Sequence, residues 1–351
     1  MSTVLTREPE AHTSIEAPSR TVASASTPGF DWTVAILGVA WLGGVFLDGW
    51  AHTHGRVDDT FFTPWHAVLY SGYAVLAAVL VARAAWAIIM GVPWRASMPA
   101  GYGLGLAGVA LWVFGGPFDL VWHSVFGFEA DVEALMSPAH AVLAIGFGLM
   151  TAAPLRAALR RAPRSVIGEV PAALSLTCLV SALTFFTQIA HPLSNLWAAG
   201  ARASGTVTEL GIVGFLLTAV ILTAPFLLLL RLGRLRGGAV TIVVALNSVL
   251  TGFLFDRGPY PLVPVIAFSL AGLAADVLRA ILRPGASRPA AFRWFAVGHP
   301  VLLYAAYFGA LLLTTGIGYT PHLWIGVIVF AGLIGWLLSY LALPPRLGTA
   351  A

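Results

Sequence analysis

Runs of about 20 predominantly apolar residues recur along the whole of this chain, the length a helix needs to cross about 30 Å of hydrocarbon. That constraint nearly decides the fold class. In lipid, every backbone N–H and C=O must find a partner within the protein, and a single long apolar run can do this only as a helix. The composition agrees: 58% of the 351 residues are hydrophobic and 10% are charged, with a mean hydropathy of +0.87. A soluble globular domain is excluded. The expectation is an all-α polytopic transmembrane helix bundle of about ten helices, over 32–53, 66–90, 101–124, 140–160, 167–191, 209–231, 239–256, 261–282, 294–315 and 323–343. It forms one unit spanning 31–343. The flanking segments 1–30 and 344–351 are short of apolar residues and read as disordered tails. The first lacks the apolar core of a signal peptide.

All 19 basic residues are arginine. Apart from Arg56, Arg202 and Arg257, they fall in the tails or in the loops and helix ends of one side of the predicted bundle. This alternation is a topology signal and not a nucleic-acid surface, despite a sequence pI near 9.6. The positive-inside rule then places both termini in the cytoplasm of a multi-pass cell-membrane protein. The single cysteine, Cys178, lies within an apolar run, which excludes an internal disulfide and any multi-cysteine metal site.

The acids and histidines collect at the opposite side. Every histidine except His12 and His299 is predicted at the outer end of a helix or in an outer loop. Within this set one pattern is written twice. Asp48 and His52 are followed by an acidic loop, Thr63-Pro64, and His66-Ala-Val-Leu; Asp119 and His123 are followed by an acidic loop, Ser137-Pro138, and His140-Ala-Val-Leu. Residues four apart share a helix face. A hydroxyl residue followed by proline is an N-cap with proline in the first turn. Each copy therefore reads as a hairpin that brings one carboxylate and two imidazoles to one point from two facing helix ends. Such groups are costly near lipid and default to a functional role.

Two imidazoles and a carboxylate suit copper, zinc or non-haem iron. Three protein ligands leave a coordination position open to water, oxygen or substrate. The candidate metal ligands are Asp48, His52 and His66, and Asp119, His123 and His140. Asp58, Asp59, Glu129 and Asp131 are candidates for orienting the imidazoles or for an acidic mouth, and His54 for a further ligand. Axial haem ligation fits less well, because paired carboxylates one turn away have no part in it. Ser124, beside His123, is weak support for hydrolysis.

The repeat extends faintly. Thr187 and His191 occupy the Asp-x-x-x-His slot of a third hairpin, Glu209 opens the next helix, and His322 follows a proline at the fifth. Asp256 marks the fourth, which has no histidine. His299, near the inner end, reads as an interface residue, and to a lesser degree so do His191 and His322.

The segment DGWAHTHGRVDDTFFTPWHAVLYSGY resembles the metal-binding stretch of the C subunit of the particulate methane and ammonia monooxygenases, the copper membrane monooxygenase family. There an Asp-x-x-x-His precedes an Arg-Asp-Thr-Asp-Phe-Thr-Pro-x-His-like run. The matching residues are Asp48, His52, Asp58, Asp59, Thr63, Pro64 and His66. The resemblance implies copper on Asp48, His52 and His66. It also makes Asp119, His123 and His140 the counterpart of a second copper site, with aspartate where that family has asparagine. It covers the two hairpins only, and the first His-to-His gap is one residue longer than the family's.

What the resemblance implies is a copper-dependent membrane oxidoreductase acting on a small apolar or lipid-soluble substrate, with a trimer as the implied assembly and an unnamed electron donor. Two other classes fit the same ligand set: copper or zinc transport and handling, and zinc-dependent hydrolysis of lipid. A subunit of a larger complex is a fourth.

Overall fold

A computed structural model describes residues 23–56, 63–127, 135–200, 205–254 and 262–345. Twelve α-helices follow one another: α1 (Pro28–Thr53), α2 (Pro64–Ile89), α3 (Gly103–Phe126), α4 (Pro138–Thr151), α5 (Ala153–Arg160), α6 (Val166–Phe186), α7 (Pro192–Asn195), α8 (Thr206–Arg231), α9 (Ala239–Leu254), α10 (Leu262–Leu282), α11 (Pro289–Leu313) and α12 (Pro321–Ala342). Among the described residues there is no strand beyond two isolated bridges. Eight of these helices are long and apolar enough to cross a membrane, the α4–α5 pair, bent by 42°, adds a ninth if it is counted as one span, and α9 is a shorter apolar helix. The protein is a multi-pass helical membrane protein.

Proline sits in the first turn of α1, α2, α4, α11 and α12, where its missing N–H would have had no partner in any case. The long helices alternate in direction. The C-terminal ends of α1, α3, α6 and α11 lie at one end of the bundle, and the arginines that follow α5 and α8 meet at the other. The α6–α8 and α11–α12 loops are stitched by the bonds Gly200 N–H to Gly316 O and Gly318 N–H to Ala198 O, at 3.1 and 2.8 Å.

Two apolar cores lie side by side. One is built by α1–α4 around Trp41, Phe46, Leu76, Trp112 and Phe147. The other is built by α6 and α8–α12 around Phe215, Phe226, Phe268, Tyr304 and Tyr307. α6 packs against α1 on one side and α9 on the other, and so joins them. At the arginine end, fully buried Asp31 accepts from Tyr102 Oη at 2.7 Å and pairs with Arg164 at 2.6 Å, while Arg161 pairs with Glu169. This network ties the start of α1 to α3 and to the α5–α6 loop.

The helices expected from the sequence are present, with four main changes, one of them that the ninth begins at Pro289, five residues ahead of the expected 294. The first begins at Pro28, capped by Thr27, ahead of the expected 32. The fourth is broken at Ala152: Pro154 interrupts the backbone ladder, and the Ser175 hydroxyl enters it, accepting from Leu155 N–H and donating to Thr151 O. The fifth ends at Phe186 instead of running to 191, because Pro192 holds His191 in an extended conformation (φ −76°, ψ 131°).

Candidate metal centre

The duplicated hairpins fold as duplicates. Thr63 Oγ1 accepts from His66 N–H at 3.1 Å, and Ser137 Oγ accepts from His140 N–H at the same distance. Each cap fixes its histidine in the first turn of the returning helix, facing the last turns of the helix before it. The register is held lower down by a second shared pattern. Trp41 lies seven residues before Asp48, and Trp112 seven before Asp119. Each tryptophan packs on the glycine six residues after its hairpin's second histidine. A Cβ added to Gly72 would fall 2.8 Å from Trp41 Cδ1, and one added to Gly146 would fall 2.4 Å from Trp112 Cδ1. Gly44 and Gly115, four residues before each aspartate, let Leu69 and Leu143 approach closely.

The two hairpins also meet each other. Trp41 and Trp112 touch edge to face, with centroids 4.8 Å apart. Across the contact, Trp41 packs on Phe147 at 4.6 Å and Trp112 on Tyr73 at 5.0 Å. Phe147 and Tyr73 hold equivalent positions, each seven residues after the second histidine. The hairpins are thus related by an approximate twofold axis parallel to the helices, with the tryptophan pair beside it. Both sets of ligands end up at the same end of the bundle.

In the first set, Asp48 Oδ2 lies 3.8 Å from His52 Nε2 and 3.6 Å from His66 Nε2. In the second, Asp119 Oδ1 lies 3.5 Å from His123 Nε2 and 3.3 Å from His140 Nε2. Within each set, all three ligand atoms lie within 4.8 Å of one another. A tetrahedral cation bound at about 2.1 Å to each ligand would separate them by about 3.4 Å, so both sets have the spacing of a metal site. They are also neighbours, since Asp48 lies in electrostatic range of Asp119 and His140, and His52 in range of His123 as well.

The atoms themselves call for a positive charge. His123 Nδ1 donates to Gly127 O at 3.3 Å, so in the neutral ring Nε2 carries a lone pair, aimed at the Asp119 carboxylate. Asp48 Oδ1 and Asp119 Oδ1 are buried and accept no hydrogen bond among the described residues. Buried carboxylate oxygens in that condition are rare and costly. In the second set the orphaned Oδ1 is the oxygen that faces both histidines, so a cation between the ligands would satisfy it; in the first set Oδ2 faces the histidines and Oδ1 is the other oxygen of the same carboxylate. Burial is uneven: the side chains of Asp119 and His123 are 4% and 7% exposed, those of His52 and His140 35% and 28%. Each set therefore keeps one imidazole edge open.

All six expected ligands are brought together, three and three. His54 is not among them; it caps α1, with Nδ1 donating to Trp50 O at 2.9 Å. Among the described residues no third acid–histidine group of this kind forms. His191 is buried and caps α7 by accepting from Leu193 N–H, and burial pushes its imidazole down to about 3. Glu209 and His322 are exposed in the first turns of α8 and α12. Because α6 stops at Phe186, Thr187 and His191 do not stack on one helix face, and the third hairpin loses its likeness to the first two. His299 and His191 are not interface residues. His299 is fully buried in the second core, hydrogen-bonded with Thr223 Oγ1 at 3.1 Å between Phe226 and Phe295. Ser124 donates to Leu120 O. Asp58, Asp59, Glu129, Asp131 and Asp256 lie outside the described residues.

One residue near the site escaped the sequence reading: Tyr70, one turn after His66, whose ring lies 6.2 Å from the His66 ring. Its spacing of four from a ligand histidine was the available signal. No protein-family model matches the chain, and neither does any curated protein or solved structure.

Proposed function

We propose that the protein is a membrane-embedded oxidoreductase that holds copper on two neighbouring sites and acts on a small apolar or lipid-soluble substrate. The observation that carries this is the repeated convergence of two Nε2 atoms on one carboxylate, buried in the second set and partly buried in the first, with one imidazole edge left open in each set. Copper is favoured over zinc or iron by the resemblance of the first hairpin to the copper membrane monooxygenases; two imidazoles and a carboxylate by themselves suit all three metals. Bound copper would supply one-electron chemistry toward oxygen. The chain supplies orientation, a water-poor setting and access from the apolar surface.

Transport of the metal is the weaker alternative. Directly below the two sets, Trp41, Trp112, Tyr73 and Phe147 form a packed aromatic layer, which offers a cation no ligands on the way to the arginine end. The positive-inside rule places that end in the cytoplasm and the metal end outside. A trimeric assembly and a separate electron donor complete the proposal.

The test is elemental analysis of the detergent-extracted protein, followed by copper loading. The expected content is about two coppers per chain, falling to about one in His66→Ala and to near none in the His66→Ala/His140→Ala double variant. Copper-loaded membranes given a chemical reductant should oxidise short alkanes or alkenes in an oxygen-dependent way. A double variant with undiminished copper would remove the site assignment. Zinc as the only metal found, with ester cleavage, would move the protein to the hydrolases.

A further inference from the structure

The two ligand sets are equivalent by sequence but share one residue that has no equivalent. Tyr70 stands four residues after His66; the same position after His140 is Ala144. The phenol Oη is buried, and both Asp48 and Asp119 act on it electrostatically. Its ring reaches the second hairpin at Gly116, one turn before Asp119, where an added Cβ would lie 3.3 Å from Tyr70 Cε1 and 3.6 Å from Oη. The equivalent of Gly116 in the first hairpin is Val45. So the side chain is large on α2 where α3 has none, and the pair is reversed at the other equivalent place. Trp112 packs on the other part of the same ring, with centroids 5.7 Å apart, and fixes its direction. A phenol is a hydrogen-bond donor that either carboxylate, or a ligand lying between them, can use.

We infer that Tyr70 serves both ligand sets, its O–H acting as hydrogen-bond donor to a small anion or water held at the metals. This rests on metal occupying both sets. Tyr70 is a positioning residue here: it orients the exogenous ligand, and the aspartates and histidines hold the metals.

The experiment uses the full chain loaded with Cu(II) and titrated with azide, followed by the azide-to-copper absorption band and by electron paramagnetic resonance. Tyr70→Phe should keep its copper and bind azide roughly tenfold or more weakly, the loss expected for one hydrogen bond to a charged ligand. Gly116→Ala, which displaces the ring without removing the hydroxyl, should weaken azide in the same direction and also keep its copper. Unchanged azide affinity in both variants overturns the inference while leaving the metal sites standing. Loss of copper in Tyr70→Phe overturns it too, by making the residue a support for the metal ligands themselves. Wild-type protein that takes up no copper sinks the proposed function and the inference with it.

Discussion

Gly72 and Gly146 do for the metal end what no ligand can do for itself. They set how closely each returning helix lies against its tryptophan, and so where the histidine one and a half turns above will point. A methyl group at Gly146 would meet Trp112 Cδ1 at 2.4 Å and Gly108 O at 3.1 Å. Because the helices flanking that contact are packed along their length, the ring cannot move aside cheaply. Gly146→Ala should therefore destabilise the detergent-solubilised protein by about 1–3 kcal/mol and lower copper content at the second set. Gly43, with nothing within 4 Å of its would-be Cβ, is the control. Gly43→Ala should leave the thermal melting midpoint unchanged or slightly raised, as the gain in helix propensity implies. Equal effects at the two positions would contradict the packing account. The same residue scale explains Tyr70. Its chemistry depends on Gly116 having no side chain, a relation between two positions far apart in sequence that spacing within either hairpin does not reveal.

Among the elements, the helices that carry ligands are regular, and the break falls elsewhere, between α4 and α5. The Ser175 hydroxyl occupies the gap in the ladder, serving Leu155 N–H and Thr151 O together. Ser175→Ala leaves a buried donor and a buried acceptor, and should cost about 1–3 kcal/mol in a thermal or denaturant melt. An unaffected Ser175→Ala would show that the bend satisfies itself. Much at this scale was legible beforehand. Hydropathy placed the long helices, and the hydroxyl-proline pairs Thr63-Pro64 and Ser137-Pro138 placed the starts of α2 and α4. The six candidate ligands could be named because a carboxylate and a histidine four apart share a helix face, and a capped histidine opening the next helix faces them. The end of α6 was missed although Pro192 announced it, since an apolar run conceals a local backbone veto. The burial of His299 was missed for a different reason. Which face of α11 meets Thr223 depends on helix packing, and a helix that is apolar all round carries no mark of it.

For the molecule as a whole, the prediction is one of orientation. The only cysteine is buried, so the wild-type chain is nearly blind to thiol reagents. A cysteine at His322, exposed at the metal end, should react with a membrane-impermeant maleimide in intact cells. A cysteine at Trp94, 71% exposed at the arginine end, should react only after permeabilisation. The reverse pattern would turn the molecule over and place the two acid–histidine sets on the cytoplasmic side. A last consequence comes from the meeting of Trp41 with Trp112. Two identical hairpins paired this way as separate chains could never differ from each other, since every change would be imposed on both. Written in tandem, they are free to drift apart. The phenol on one side and the bare alanine on the other are what that freedom looks like, a division of labour open only to twins that share a single thread.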